Sequence, residues 1–281
     1  MIVGNQPFGP DLVLNVRRPV LIPRPETEEW ASRLADLLTS LPSSSPRINL
    51  LDLCTGTGCI PLLICKSFER ANRPLRALGV DILPQAVDLA KENARLSGIP
   101  TLPCTAGRNR DQDELLMTFD VRKGDMFDPS FKDGLRDVWG NIDVLTSNPP
   151  YIPLYEIESL DENVRSFESP LALLGDLPNL PSNFYPQHLQ HYQTHGLDFY
   201  LQIAHLISAG LVRPPQSSSQ TSSSSNHRTP QVILEVGYNQ ASAVKEILKE
   251  GPAKELMESV EGWKDFAGIE RVVVGFLKER S

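Results

Sequence analysis

An α/β fold, with a mostly parallel sheet carrying helices on both faces, is what this chain of 281 residues predicts. Three observations carry that expectation. Beyond residue 47, short strand-like apolar runs alternate with helical patterns, as parallel strands joined by helical crossovers require. A glycine turn, Thr55-Gly56-Thr57-Gly58, joins the first of these strands to the first helix. Four polar residues, Asp52, Asp81, Asp125 and Asn148, fall at the carboxyl ends of predicted strands, the edge at which such sheets bind ligands.

Taken in order, residues 1–23 mix short apolar stretches with Gly and Pro and predict a hairpin or arm. A helix opens at Pro25, because proline is tolerated in the first turn and Glu26, Glu28 and Glu29 complement the dipole there. Trp30, Leu34, Leu37, Leu38 and Leu41 line one of its faces at helical spacing. After a linker at 42–46, the patterns predict strand 48–54, helix 59–71, strand 75–82, helix 84–97, and strands 119–126 and 141–147. Helix 197–209, strand 231–237, helix 240–250 and strands near 258–266 and 271–278 complete the series. Residues 213–230 are Ser-rich and read as a disordered loop without chemistry. Residues 177–195, rich in Pro, Asn, Gln and His, also read as low in structure. Their His188, His191 and His195 share one face if helical, but no acid or Cys completes a metal set, so solvated histidines are expected. The division is therefore an arm, 1–23, and one large domain, 24–281, with insertions at 177–195 and 213–230.

Bulk properties narrow the function. With 27 basic and 35 acidic residues the net charge is −8, the wrong sign for a surface that holds a nucleic-acid backbone. The nearest thing to a basic patch, Arg108, Arg110, Arg122 and Lys123, is interleaved with Asp111, Asp113, Glu114 and Asp120, and reads as a solvated insertion. No apolar run approaches the ~18 residues needed to span a bilayer, and the first residues lack the charged-then-apolar pattern of a secretory signal. Cys54, Cys59, Cys65 and Cys104 form no C-x-x-C pair. Free thiols in a reducing compartment, rather than a disulfide or metal site, are expected.

The glycine turn lets the backbone approach a ligand without a Cβ in the way. Asp81, roughly 20 residues beyond it, is spaced to reach ribose hydroxyls. Pro61 stands where a dinucleotide fold has Gly or Ala, and no Lys precedes Lys66 to bind phosphate. S-adenosylmethionine, a nucleoside with a positive sulfonium, therefore fits better than NAD. The second constellation is Asn148-Pro149-Pro150-Tyr151, directly after a strand. Two prolines end the strand and stiffen the turn. The Asn148 amide and the Pro149 carbonyl can grip the two hydrogens of a substrate –NH2, and Tyr151 offers a flat face for a planar amide or base. Each motif alone also fits an ordinary turn; together they point to methyl transfer onto nitrogen.

On these residues the chain resembles the PrmC/HemK family, the glutamine methyltransferases of peptide-chain release factors, from Ile2 to Leu277. The resemblance rests on Leu21-Ile22-Pro23-Arg24-Pro25-Glu26-Thr27-Glu28, Asp52-Leu53-Cys54-Thr55-Gly56-Thr57-Gly58 and Ser147-Asn148-Pro149-Pro150-Tyr151. Glu168-Ser169-Pro170, Gly196-Leu197-Asp198-Phe199-Tyr200, Glu235-Val236-Gly237 and Asp265-Phe266-Ala267-Gly268 extend it. The Arg-Pro-Glu-Thr-Glu block separates it from adenine methyltransferases and points to the bacterial and organellar branch; with a Ser-rich insertion, a mitochondrial enzyme is expected. The resemblance implies a Rossmann-like, seven-stranded class I methyltransferase sheet with its last strand antiparallel. It implies that Asp52 and Cys54, Thr55, Gly56, Thr57 and Gly58 surround the methionine part of S-adenosylmethionine. Asp81 would hold the ribose, Asp125, Met126 and Phe127 would flank the adenine, and Asn148 would touch cofactor and substrate. The catalytic set is then Asn148, Pro149, Pro150 and Tyr151, with no metal. The partner is the Gly-Gly-Gln loop of a release factor, met by a monomer without nucleic acid or membrane. Relatives often have Gly at position 54 and an aromatic at 126, and carry a helical domain before the arm; this chain has Cys and Met and begins at the arm. The insertion 177–195 is expected to border the release-factor groove. Rival readings are an adenine amino methyltransferase on nucleic acid and a non-catalytic cofactor-binding adaptor; a dehydrogenase is opposed by Pro61.

Overall fold

The computed structural model describes residues 4–42, 45–101, 116–215 and 228–279. Its centre is a seven-stranded sheet among the described residues, of order β5-β4-β3-β6-β7-β9-β8. The strands are β3 (Ile48–Leu53), β4 (Leu75–Asp81), β5 (Met117–Lys123), β6 (Val144–Ser147), β7 (Val232–Glu235), β8 (Met257–Lys264) and β9 (Glu270–Leu277). β3 pairs in parallel with β4 and β6, β4 with β5, and β6 with β7; β9 runs antiparallel to both its neighbours. The expected sheet, including its antiparallel last strand, is present.

Side-chain alternation along the strands builds two cores. From β3 and β4, Ile48, Leu50, Leu75 and Ala77 pack under α1 (Pro25–Thr39), α2 (Cys59–Arg70) and α3 (Pro84–Leu96). Leu51, Leu53, Leu78 and Val80 pack on the other side, under α4 (Phe131–Trp139), α7 (Asp198–Ser208) and α8 (Ala241–Glu250). Each fully buried Leu contributes on the order of 1.5–3 kcal/mol. The N-terminal arm is the expected hairpin, β1 (Asn5–Pro7) antiparallel to β2 (Val13–Asn15). Phe8, Leu12 and Leu14 dock it into the first core beside Trp30 and Leu34 of α1. Asn93 of α3 holds it too, accepting from the Asn15 N–H at 2.8 Å.

Several expectations change. Helix α4 and the short helices α5 (Glu162–Phe167) and α6 (Pro170–Leu173) were not legible as elements. The strand expected at 119–126 ends at Lys123, so Asp125 sits in the turn beyond it. The strand expected at 141–147 begins only at Val144; Ile142 makes an isolated bridge to Val212. Residues 177–195 are not a loose loop. They include a 3-10 turn, Gln187–Tyr192, and bury Tyr185 and Leu189 in the second core. Tyr185 donates to Asp198 at 2.7 Å and Tyr192 to Glu246 at 2.7 Å. The three histidines are exposed; His188 meets the Glu250 carbonyl at 2.9 Å and His195 the Gln193 carbonyl at 2.8 Å. No cluster of metal-ligating groups occurs among the described residues. Arg122 and Lys123 belong to β5 rather than to an insertion, whereas Arg108, Arg110, Cys104 and most of 213–230 lie outside the described residues. No described helix is long and apolar enough to cross a membrane.

Candidate active site

A cavity of about 370 Å³ opens at the carboxyl edge of the parallel strands, where the sheet order reverses direction on either side of β3. One wall is Cys54, Thr55, Gly56 and Thr57 of the loop that leaves β3 and enters α2; Gly58, also expected at the cofactor, does not line it and instead caps α2. Three of the loop's five residues have positive φ, Cys54 at 58°, Gly56 at 55° and Gly58 at 79°. Glycine adopts that region freely; Cys54 does so at a cost of roughly 1 kcal/mol. At Gly58 a Cβ would stand 3.2 Å from that of Ala90, so this turn also needs the space. Asp81, at the end of β4, ties the loop down. Its Oδ2 accepts from the Gly56 N–H at 2.9 Å and its Oδ1 from the Leu83 N–H at 2.9 Å. Burial raises its carboxyl above the usual range, and those backbone donors oppose the shift.

Asp125, Met126 and Phe127 line the far end. Gln202 of α7 donates to the Met126 carbonyl at 2.6 Å, and Phe127 packs edge-on against Phe199 with centroids 5.2 Å apart. Phe184, from the 177–195 segment, stacks at a tilt on Phe127 at 6.2 Å. That segment thus buttresses the cavity from behind, and its first residues, Leu177 and Pro178, reach the wall itself. The arm supplies a roof that the sequence did not announce: Val20, Leu21 and Pro23 line the cavity, opposite Leu171 and Ala172. The two halves of the roof are stapled by Arg24, which donates to both oxygens of buried Glu168 at 2.8 and 3.0 Å, and by the Ser169 N–H, which donates to the Pro19 carbonyl at 2.8 Å.

Asn148 and Pro150 stand on the wall; Pro149 is buried behind them, and Tyr151 is half-buried outside the cavity against the second core. Burial, then the charge of Glu235, pushes the Tyr151 phenol up to about 12, so it stays neutral. The Asn148 amide donates from Nδ2 to the Thr27 hydroxyl at 3.4 Å. Thr27 donates in turn to Glu235 Oε2 at 2.7 Å, which also accepts from Trp30 Nε1 at 2.7 Å. The sequence places Thr27 and Glu235 in recognisable motifs but gives neither a role.

Asp52 is corrected. It was expected beside the cofactor, but it is wholly buried and does not line the cavity. Strand alternation puts its side chain on the same face as Leu50, beside its cross-strand neighbour Thr146, which donates to Oδ1 at 2.7 Å; Oδ2 has no hydrogen-bond partner among the described residues. Burial pushes its carboxyl up to about 7, against the opposing bond from Thr146. Cys54 lines the cavity and is only partly buried; buried Cys59, to which the sequence gave no role, lines it too.

The raised value at Asp52 makes a stability prediction. Its folded pKa exceeds the unfolded value, so its contribution is complete below about pH 4 and is lost as pH rises through about 7. Asp52→Asn removes that dependence. The variant should gain roughly 2–3 kcal/mol on wild type between pH 5 and pH 8 in denaturant titrations. A stability difference that stays flat over that interval would show that Asp52 is ionised throughout.

A seven-stranded sheet of this order, with a glycine turn after its central strand and a nucleoside-sized cavity at its carboxyl edge, defines a class I methyltransferase fold. Solved structures agree: the N-terminal domain of human METTL16 in complex with SAH superposes with a TM-score of 0.53 at 15% identity, over 97% of this chain and 77% of that one. No protein-family model matches the chain. A release factor glutamine methyltransferase of Thermodesulfovibrio yellowstonii is 30% identical over 97% of this chain and 74% of its own length. One from Haemophilus influenzae is 28% identical over 99% and 75%. A Schizosaccharomyces pombe protein described as a "probable MRF1 mitochondrial N(5)-glutamine methyltransferase" is 34% identical over 62% of this chain and 50% of its own. The chain belongs to the release factor glutamine methyltransferase family.

Proposed function

We propose that this protein transfers a methyl group from S-adenosylmethionine to the side-chain nitrogen of the glutamine in the Gly-Gly-Gln loop of a peptide-chain release factor. The observation that carries the reading is the placement of Asn148 on the wall of the same cavity that the glycine loop forms. The cavity suits the cofactor. Among the described residues its lining includes Asp81 and Asp125 and no Lys, Arg or His, a set matched to a positive sulfonium and unsuited to a pyrophosphate. Cys54, Thr55, Gly56 and Thr57 would surround the methionine part, Asp81 the ribose, and Asp125, Met126 and Phe127 the adenine. The cofactor supplies an electrophilic methyl group on sulfur.

The chain's own contribution is orientation. An amide nitrogen is a poor nucleophile because its lone pair is delocalised. The Asn148 Oδ1 on the wall would accept one hydrogen of the substrate –NH2, aim the nitrogen and stabilise positive charge as it develops there; the Pro149 carbonyl, expected to take the second hydrogen, belongs to a residue buried behind the wall. Bound there, the cofactor would supply the methyl carbon for the new N–C bond and keep the sulfur as leaving group, and the surplus proton would pass from the substrate nitrogen to solvent, so no strong base is needed. Tyr151 supports the corner from the core side. The compartment is mitochondrial in this proposal, supported by the likeness to the fission-yeast relative described as mitochondrial, and the enzyme acts as a monomer.

Labelled S-adenosylmethionine should transfer its methyl group to a release factor and not to adenine-containing DNA. Label on the DNA would favour the amino-adenine reading; cofactor binding without transfer to either would favour a non-catalytic adaptor.

A further inference from the structure

An asparagine can present either end of its amide to a substrate, and the two ends differ in chemistry: one accepts, the other only donates. The surroundings of Asn148 decide between them. Trp30 Nε1–H can only donate, and it meets Glu235 Oε2 at 2.7 Å. The Thr27 hydroxyl meets the same oxygen at 2.7 Å. All three residues are buried, with Thr27 at 1% exposure, so water does not compete for these bonds. A carboxylate oxygen has no proton to give, hence the Thr27 proton is committed to Glu235. What remains on Thr27 Oγ1 toward Asn148 is a lone pair. The amide end 3.4 Å away must then be the –NH2, and Oδ1 is left for the cavity. The reverse orientation would set two oxygens against each other with no proton between them.

We infer that Thr27, with its proton held by Glu235 and Trp30, is a positioning residue that fixes the Asn148 amide with its oxygen toward the substrate nitrogen. The inference rests on the reading that Asn148 receives a substrate –NH2. It assigns a task to the Arg-Pro-Glu-Thr-Glu helix start and to the carboxyl end of β7 at once, since α1 supplies Thr27 and Trp30 and β7 supplies Glu235. It also predicts that the charge of Glu235 is dispensable while its oxygen is not. In Glu235→Gln the Trp30 N–H still demands an oxygen at the Oε2 position, and the Thr27 proton stays committed.

The test uses the full chain, S-adenosylmethionine and a release factor. Thr27→Val removes the hydroxyl at equal shape and should lower kcat about tenfold or more, the order expected when one orienting contact is lost. The S-adenosylhomocysteine Kd by calorimetry should move far less than kcat, because Thr27 and Asn148 are two residues of a long lining. Thr27→Ser and Glu235→Gln should each stay within about threefold of wild-type kcat, and Glu235→Leu should fall with Thr27→Val. A fully active Thr27→Val, or equal losses in Thr27→Val and Thr27→Ser, would overturn the inference. Side-chain NMR of the wild-type chain tests it without turnover: the Asn148 –NH2 should exchange with solvent more slowly than exposed amides. Free exchange there would also overturn it, whether or not the variants fold. A wild-type chain that leaves the release factor unmodified while showing slow exchange would instead refute the proposed substrate.

Discussion

Asn148→Ala is expected to lower kcat by roughly 10²–10³, the loss typical of removing one preorganised polar contact to a reacting group. The reasoning starts from the backbone. β6 ends at Ser147, whose hydroxyl donates to the Leu53 carbonyl at 2.9 Å, so the strand end is locked to β3 and to the loop that β3 feeds. Pro149 and Pro150 then fix two successive φ angles. Alanine leaves that scaffold intact and removes only the group that orients the nitrogen. Cofactor affinity should fall far less than turnover, since Asn148 is one residue of a long lining. A loss below about threefold in single-turnover assays would remove Asn148 from the mechanism.

The second large effect comes from a residue that never touches substrate. Gly196→Ala should destabilise the fold and cut activity by about 10², the cost of misplacing a reacting group by about an ångström. Gly196 has φ of +71°, and a Cβ there would stand 2.1 Å from the Tyr151 carbonyl oxygen. That carbonyl is already committed, accepting from Gln240 Nε2 at 2.8 Å. Gly175 and Gly237 close on Tyr151 from two other sides, their Cβ positions falling 2.7 Å from its Cα and 2.9 Å from its Cδ2. The corner thus sits in a socket of three glycines and cannot yield without moving Asn148. The positive φ alone adds roughly 1–2 kcal/mol of strain. Melting curves and kcat of Gly196→Ala check both parts. A variant that melts and turns over like wild type would show that the corner has slack.

What the sequence disclosed is what is local. A strand followed by a glycine turn and a helix, or by two prolines, is written in consecutive residues, and Gly56, Asp81 and Asn148 all stand on the cavity wall. The alternation of runs gave the sheet because each crossover helix is itself a local pattern. The socket and the relay are not local. Thr27 and Glu235 meet across 208 residues, and Gly196 meets Tyr151 across the 177–195 segment. Asp52 misled for a different reason: a carboxylate at a strand end looks like a ligand-binding group, but the period of two along β3 puts it on the covered face of the sheet beside Thr146. The polar composition of 177–195 hid two apolar anchors, Tyr185 and Leu189, which suffice to fold it against α7 and α8. Helix α4 was missed because its charged residues, Lys132, Asp133 and Arg136, mask the buried stripe of Phe131, Leu135 and Trp139.

The central claim is that a stiff two-proline corner orients a neutral amide for methylation. Tandem mass spectrometry on a release factor incubated with this chain and S-adenosylmethionine tests it most directly. The account predicts a gain of about 14 Da, one methylene, placed on the side chain of the Gly-Gly-Gln glutamine and absent with Asn148→Ala, because that contact orients the reacting nitrogen. A mass gain on any other residue, or one that persists undiminished in Asn148→Ala, would contradict it.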